Sequence, residues 1–541
     1  MSDKPQAIQE ANSPVGRQAC ALMVLGTASH VGKSLLTAAL CRILAERGYR
    51  VAPFKAQNMS LNSAATPEGL EIGRAQALQA EAAGIPPSVH MNPVLIKPTG
   101  MRSSQIIVQG KVWKHLQAAD YYENRAAELL PKVRESYETL AQDKDILVLE
   151  GAGSPAEINL RASDIVNMRM AALADAACIL VGDIDRGGVF ASILGTLELL
   201  EPEDRQRIRG FVINKFRGDA SLLWPGIRML EERVGIPCVG VVNYLKGLTL
   251  EEEDSVGIAQ THRGAWTSTT GTDRPLRIAV IALPWISNFT DFDALAAEPS
   301  VELRFCRSPR DLAAADVIIL PGTKQTADDL RWLREQGFEA ILQQHAVAGR
   351  VTIGICGGMQ MLGREIVDPH AMESSEAAQG FDLLPIRTTM QPAKITQLAT
   401  GELTGKPAKG VLSSLPNIPV RGYEIHLGET EYLDGAPPFA HIRRSLDDAN
   451  ALEDGCISED GNTFGTYLHG VFDHDAFRHA FLSAARAQAD LAPAASWTFR
   501  EQDRAAQWRL LADEVSSALD LGRILGWLQL PASRAAAEVT L

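Results

Sequence analysis

A chain of 541 residues is too long for one hydrophobic core, so two or three domains are expected. Its 46% hydrophobic and 22% charged residues are those of a folded soluble protein, and a net charge of −14 argues against a nucleic-acid partner and against an anionic membrane surface. Seven cysteines with no C-x-x-C pair suggest neither a zinc site nor a disulfide framework and fit a reducing cytosol.

Residues 1–19 are expected to be a flexible amino terminus, polar over 1–17 and without the apolar core of a signal peptide. No run approaches the ~18 apolar residues needed to cross a bilayer, so a cytoplasmic location is expected. A first domain is expected over 20–250. Residues 21–25 predict a buried strand, 26–34 a loop containing Gly32, Lys33 and Ser34, and helical spacing follows at once through Leu36, Leu40 and Leu44. Strand, Gly-Lys-Ser loop and helix make the context of a P-loop: backbone N–H groups wrap the phosphates of ATP, Lys33 neutralises them and the Ser34 hydroxyl ligates Mg²⁺. Thr27 stands where G-x-x-x-x-G-K-[ST] has its first Gly.

The next strand feeds a polar loop with Lys55, Gln57, Asn58 and Asn62, either substrate-binding groups at the carboxyl edge of the sheet or simply a polar loop. Lys97, at the end of another short strand, and Arg102 could receive a carboxylate-bearing substrate or be surface charges. One or two amphipathic helices are predicted over ~115–141. An apolar strand over 145–150 then ends in Glu150 and a glycine-rich turn, the arrangement that holds Mg²⁺ beside a P-loop. Glu157, Asn159 and Asp164 follow on a segment that could also face the site. Strands over 178–183 and 211–213 lead to Asp183 and Asp185, and to Asn214. Five strand-and-tip units alternating with helices predict a doubly wound parallel sheet.

Residues 251–275, acidic and then rich in Gly, Thr and Ser, are expected to be a linker to a second α/β domain over 276–480. The strand over 317–320 ends in the Gly322 turn. A further apolar strand, 351–355, ends in Gly354-Ile355-Cys356-Gly357-Gly358 and a helical pattern, the layout of a nucleophile elbow in which the helix N-terminus favours the thiolate of Cys356. His469, at the tip of a short β run and followed by Gly470, is the expected general base, since a Cys with a distant His is the order of a thiol acyl-transfer site. Residues 481–541 are expected to form a helical extension, with 497–530 packed against the second domain.

Two families supply the rest as resemblance. The Gly26–Ser34 loop resembles that of dethiobiotin synthetase and its relatives, which implies that Asn214 reads the adenine; Ala28 stands where the MinD-type partition ATPases carry an extra lysine. Gly354, Cys356, Gly358 and Gln360 match the G-x-C-x-G-x-Q of class I, triad-type glutamine amidotransferases. That resemblance implies glutamine as nitrogen donor, Gln360 in the glutamine site, and an oxyanion hole from the N–H groups of Gly322 and Gly357. Val471 replaces the Glu that the class keeps two residues after its His, a departure shared by the branch containing the cobyrinic and cobyric acid synthases, whose sites look like Cys–His dyads. Asp473 and Glu424 are then candidates to orient His469. Residues 55–60, 182–190, 214–219, 287–293 and 422–426 carry the likeness to the cobyric acid synthases over ~20 to ~475.

The resemblance implies a glutamine-hydrolysing ligase that uses ATP and Mg²⁺. It would amidate the b, d, e and g carboxylates of adenosylcobyrinic acid a,c-diamide, a corrinoid, with ammonia passing by a protected path between domains. Oligomeric state is left open. Two alternatives stand beside it: a cobyrinic acid a,c-diamide synthase working on the a and c carboxylates, and a non-catalytic partition-type P-loop switch with a decayed amidotransferase appendage. The absent lysine at Ala28 and the intact Cys356/His469 pair speak against the latter.

Overall fold

The computed structural model describes residues 19–99, 103–117, 125–245, 247–248, 266, 270–373, 377–404, 407, 409–415, 417–444 and 450–533. Arg102 and most of the expected 251–275 linker lie outside them. In the amino-terminal half the strands are β1 (Cys20–Gly26), β2 (Val51–Phe54), β3 (Gln57–Met59), β4 (Ser63–Ala65), β5 (Glu71–Gly73) and β6 (Val94–Pro98). They continue as β7 (Ser103–Val108), β8 (Lys111–Gln117), β9 (Ile146–Glu150), β10 (Ala177–Asp183), β11 (Ile208–Phe216) and β12 (Cys238–Asn243). Six of these form one parallel sheet in the order β12-β11-β10-β1-β9-β2. Its central strands are apolar along their length because helices cover both faces, leaving no solvent-facing side to make polar. The chain leaves β1 toward one edge and later returns to build the other, so the P-loop after β1 sits at the switch point.

The sequence reading left one feature of this half open and differs from the structure in another. The strand ending in Lys97 is not in the main sheet: β6 belongs to a small separate sheet, β3-β6-β7-β8. The stretch expected to be helical from ~115 begins as β8, and its helix spans Arg125–Ala141.

The second half repeats the plan. Strands β13 (Leu276–Ile281), β14 (Val301–Cys306), β15 (Val317–Leu320) and β16 (Val351–Ile355) are followed by β17 (Glu365–Val367), β18 (Ala378–Gln379), β19 (Ile386–Leu403) and β20 (Pro419–Tyr432). β21 (Ala440–Arg443), β22 (Leu452–Asp454), β23 (Cys456–Ile457) and β24 (Thr463–Thr466) complete it. The main sheet runs β14-β13-β15-β16-β24-β23, parallel except for the β23–β24 pair. The long β19–β20 pair anchors a further, mostly antiparallel sheet with β17, β18, β21 and β22. All seven cysteines are free, and no helix among the described residues is long and apolar enough to cross a membrane.

The carboxyl-terminal helices correct one expectation. Helices Arg500–Ala518 and Leu521–Trp527 bury their apolar faces on the first domain, while the second keeps Trp497 and the polar contacts of Arg500 and Glu501 at the first turn. Trp508, Leu511, Val515 and Ile524 join the core built on Leu22, Val24, Leu36 and Leu40, and Trp508 Nε1 donates to Glu81 Oε1 at 3.0 Å. Asp520 N donates to Val239 O at 2.8 Å on edge strand β12. Helical periodicity shows that an apolar face exists but not which partner covers it; here the chain crosses back to protect an edge strand. Leu511→Ala should therefore destabilise the first domain by about 2–5 kcal/mol, the cost of deleting a buried leucine. Urea unfolding followed by loss of ATP binding checks this, and an unchanged midpoint would mean that the returning helix contributes nothing.

Candidate active sites

Two cavities lie at the carboxyl ends of the two parallel sheets. The first, about 560 Å³, is lined by Lys33, Ser34, Lys55, Gln57, Asn58 and Glu150, with Glu157 and Asp164 at its side. Gly32 has φ 96°, and a Cβ there would stand 2.2 Å from Asn214 Nδ2, so only glycine closes this turn. Lys33 Nζ donates to Ala28 O at 2.8 Å and Gly153 O at 3.1 Å, which aims its ammonium across the loop. Glu150, fully buried, accepts from Ser34 Oγ at 2.8 Å, Lys55 Nζ at 2.9 Å and Gln79 Nε2 at 2.6 Å. Burial alone would raise its pKa; the Lys55 charge and these three donors outweigh that and hold it below the usual carboxylate range.

The Ser34 hydroxyl and the Glu150 carboxylate, already in contact, are the hard oxygen donors that Mg²⁺ takes together with phosphate oxygens and water, so the residues fit that ion. The remaining expectations divide. Lys55, Gln57 and Asn58 line the cavity, whereas Thr27, Asp183 and Asn214 are not among its lining residues. Asp183 pairs with Lys215 at 3.0 Å, and Asn214 Nδ2 donates to Val31 O at 2.8 Å, bracing the P-loop from the next strands. Thr27 N donates to Val181 O at 2.9 Å.

The second cavity, about 40 Å³, surrounds Cys356. Neighbouring strands bring its chemistry together: β15 ends at the Gly322 turn, β16 at Cys356, and β24, in register with β16 through Ile355 and Thr466, precedes His469. Cys356 has φ 51° and ψ −112°, a strained conformation for a residue with a side chain, at the start of the helix Gly357–Leu362. Its glycine flanks are steric necessities, since a Cβ on Gly358 would lie 2.0 Å from Leu320 O. Gly357 lines the cavity and carries one of the first-turn N–H groups that find no acceptor within a helix. Gly322 lies against the His469 ring, where a Cβ would come 3.0 Å from Cε1. Gln360 also lines the cavity, held by Thr326 Oγ1 and Tyr467 OH at 3.3 Å each.

His469 is 1% exposed, and its Nδ1 is 2.7 Å from Asp291 Oδ2. Gly470 N donates to the other Asp291 oxygen at 3.0 Å. With Nδ1 engaged, the remaining ring nitrogen is the one for the hydrogen bond with Cys356. Burial would depress this imidazole, but the Asp291 charge and hydrogen bond, then Cys356, raise it to about 10. The stabilisation from this pair is complete below the ordinary histidine pKa of about 6.5. It is lost as pH climbs through about 10.

Asp291 is the group that sequence reasoning missed, and it replaces both suggested orienters. Asp473 faces Arg500 at 3.3 Å. Glu424 is taken by Arg444 at 2.6 Å and His426 at 3.2 Å, and despite burial those partners pull it down to about 2. His426 lines the cavity too, but Gly428 O and Glu424 engage its two nitrogens, at 2.8 and 3.2 Å, so His469 is the better base. Lys97 is no surface charge: it is buried and lines the Cys356 cavity.

Asp291→Asn should slow glutamine hydrolysis about 10²-fold or more. It should also move the alkaline limb of the pH–rate profile down by roughly 1–3 units, because the anion that raises His469 is gone. An unshifted limb would show that Asp291 serves packing alone.

Comparison with known proteins matches residues 22–256 to the CobQ/CobB/MinD/ParA nucleotide binding domain and 277–477 to the CobB/CobQ-like glutamine amidotransferase domain. A cobyric acid synthase of Moorella thermoacetica is 49% identical over 507 residues, 93% of this chain and 96% of that one. One of Salmonella heidelberg is 47% identical over 516 residues, 94% and 98% of the two chains. Among solved structures, PurLQS of Thermotoga maritima covers 40% of this chain and 97% of its own at 18% identity with a TM-score of 0.29, too low to carry an argument.

Proposed function

The chain belongs to the cobyric acid synthase family, a group of glutamine-dependent amide-forming ligases of cobalamin biosynthesis, and from that premise we propose how its two sites divide the work. The Cys356 thiolate attacks the side-chain carbonyl carbon of glutamine, while the Gly322 and Gly357 N–H groups receive the developing oxyanion. His469, kept protonated by Asp291, gives its proton to the departing nitrogen, and ammonia leaves behind a Cys356 thioester. Water, deprotonated by the now neutral His469, hydrolyses the thioester to glutamate and restores the thiol pair.

In the first cavity a carboxylate oxygen of the corrin attacks the γ-phosphorus of ATP and ADP departs, leaving an acyl phosphate. Ammonia then displaces phosphate from the acyl carbon to give the amide. Activation is needed because carboxylate and ammonia at neutral pH rest as a salt. Lys33 and the P-loop amides hold the phosphates, Asn214 steadies the loop, and Lys55, Gln57 and Asn58 face the acceptor. Mg²⁺, when bound at Ser34 and Glu150, neutralises phosphate charge. The acceptor we infer is adenosylcobyrinic acid a,c-diamide, amidated at b, d, e and g, in the cytoplasm.

The observation that carries this reading is the buried Cys356–His469–Asp291 line in the same chain as a P-loop with its strand-tip carboxylate. Cys356→Ala should abolish glutamine-dependent amidation of the purified corrin acceptor and leave ammonium-dependent amidation in place. Lys33→Met should abolish amidation with either nitrogen source. Loss or survival of both nitrogen sources in Cys356→Ala would sink the two-site assignment.

A further inference from the structure

The cavity at Cys356 carries more charge than thiol chemistry uses. Three lysines line it: Lys324 from the turn after β15, Lys394 from β19, and Lys97, which the first domain extends from β6. Lys394 reaches inward from an irregularity in the β19–β20 pairing between Met390 and Ile395, where the bulge turns it off the ladder. Glu71, buried, takes Lys97 on one oxygen and Lys394 on the other. Ser63 ties the set together, donating to Glu71 at 2.8 Å and accepting from Lys97 at 2.7 Å. The Lys324 ammonium, by contrast, makes no hydrogen bond or ion pair with any described residue. Burial first, and then the Lys394 charge, lower its pKa against the pull of Glu373, Glu71 and Cys356. Glu373, also lining the cavity, accepts from Thr326 N at 2.8 Å.

Three lysine amines therefore stand against the carboxylates of Glu71, behind the wall, and Glu373, within it: burial, opposed by Glu71, lowers Lys97 to about 7, Glu71 also holds Lys394, and Lys324 is left uncommitted. Glutamine supplies what such a wall lacks. Its carboxamide must reach the sulfur, and the other end of the molecule carries an anion. Resting on the glutaminase reading above, we propose that Lys324 receives the α-carboxylate of glutamine, and that Lys97 of the first domain, clamped by Glu71, completes the cationic wall that favours it. The glutamine pocket is then a two-domain site. Its amino-terminal wall continues into the other cavity: β6, which carries Lys97, pairs along Val94–Ile96 with Gln57–Met59, which are among the residues that line the ATP-side cavity.

The test compares ammonia release from glutamine and from 4-aminobutyramide, which is glutamine without its α-carboxylate, in the full-length enzyme. Lys324→Met should raise KM for glutamine roughly 10- to 100-fold, the loss expected for a charged hydrogen-bond partner. It should change kcat/KM for 4-aminobutyramide less than about threefold, and Lys324→Arg should recover part of the loss. Lys97→Met should raise KM for glutamine by a smaller factor, roughly three- to tenfold. An unchanged KM for glutamine in Lys324→Met, or an equal fall on both amides, would overturn the carboxylate assignment. An unchanged KM in Lys97→Met would overturn the two-domain wall. If the wild-type enzyme releases no ammonia from either amide, the glutaminase reading itself fails, an outcome distinct from both.

Discussion

The hydrogen-bonded pair of Asp291 and His469 is the contact on which the second half of the molecule is arranged. A carboxylate and an imidazolium buried together are costly to desolvate, and the cost is met only if further donors hold the geometry. Gly470 N gives Asp291 its second donor, and the Tyr423 ring stacks on His469 at 5.3 Å between centroids. The Asp291 turn is in turn set by Asn288, a left-handed residue with φ 52° whose carbonyl accepts from Asp291 N. Asn288 Oδ1 accepts from Ser63 N at 2.9 Å, so the last support for His469 comes from a hairpin of the first domain.

Both halves place their chemistry by one rule. A parallel sheet covered on both faces aligns its strands so that every carboxyl end opens on the same side, and the residues just past those ends converge without any strand needing a polar interior. In the first half this brings Lys33, Glu150 and Asn214 to one edge; in the second it brings Gly322, Cys356 and His469. Each edge holds a residue of positive φ at its reactive turn, Gly32 in one and Cys356 in the other. The cost falls differently. Glycine tolerates its position, whereas Cys356 bears real strain that the flanking glycines and the buried helix behind it must sustain.

What the sequence made legible follows from this rule. Apolar runs that end in a glycine turn announce both the strand and the functional tip, which is why the P-loop, Glu150, the elbow and His469 could be placed from pattern alone. Asp291 could not, because its partner lies 178 positions away and nothing local separates it from Asp293. The long β19–β20 pair also escaped, since its alternation is broken by a bulge and by half-exposed faces that blur the period of two. The place of Lys97 was left open for a related reason: β6 looks like a main-sheet strand, but it pairs with β3, which has already left that sheet.

The polar character of the contact between the halves has a mechanical meaning. Each half has its own large apolar core, and the apolar cluster that spans them contains Ala65, Tyr423 and Ile425. A small greasy patch resists separation but hardly resists sliding, because hydrophobic contact is non-directional. Other contacts between the halves are directional, among them Ser63 to Asn288, Gln325 Nε2 to Thr99 O at 2.6 Å, Lys394 to Glu71, and the Arg74 guanidinium over the Tyr423 ring at 5.8 Å. Buried ion pairs of this kind add little net stability, yet losing one partner leaves an uncompensated charge, so they penalise any other alignment. On the function proposed above, two sites that hand ammonia from one to the other need a fixed offset more than they need a tight grip, and an interface of aligned polar contacts suits that need.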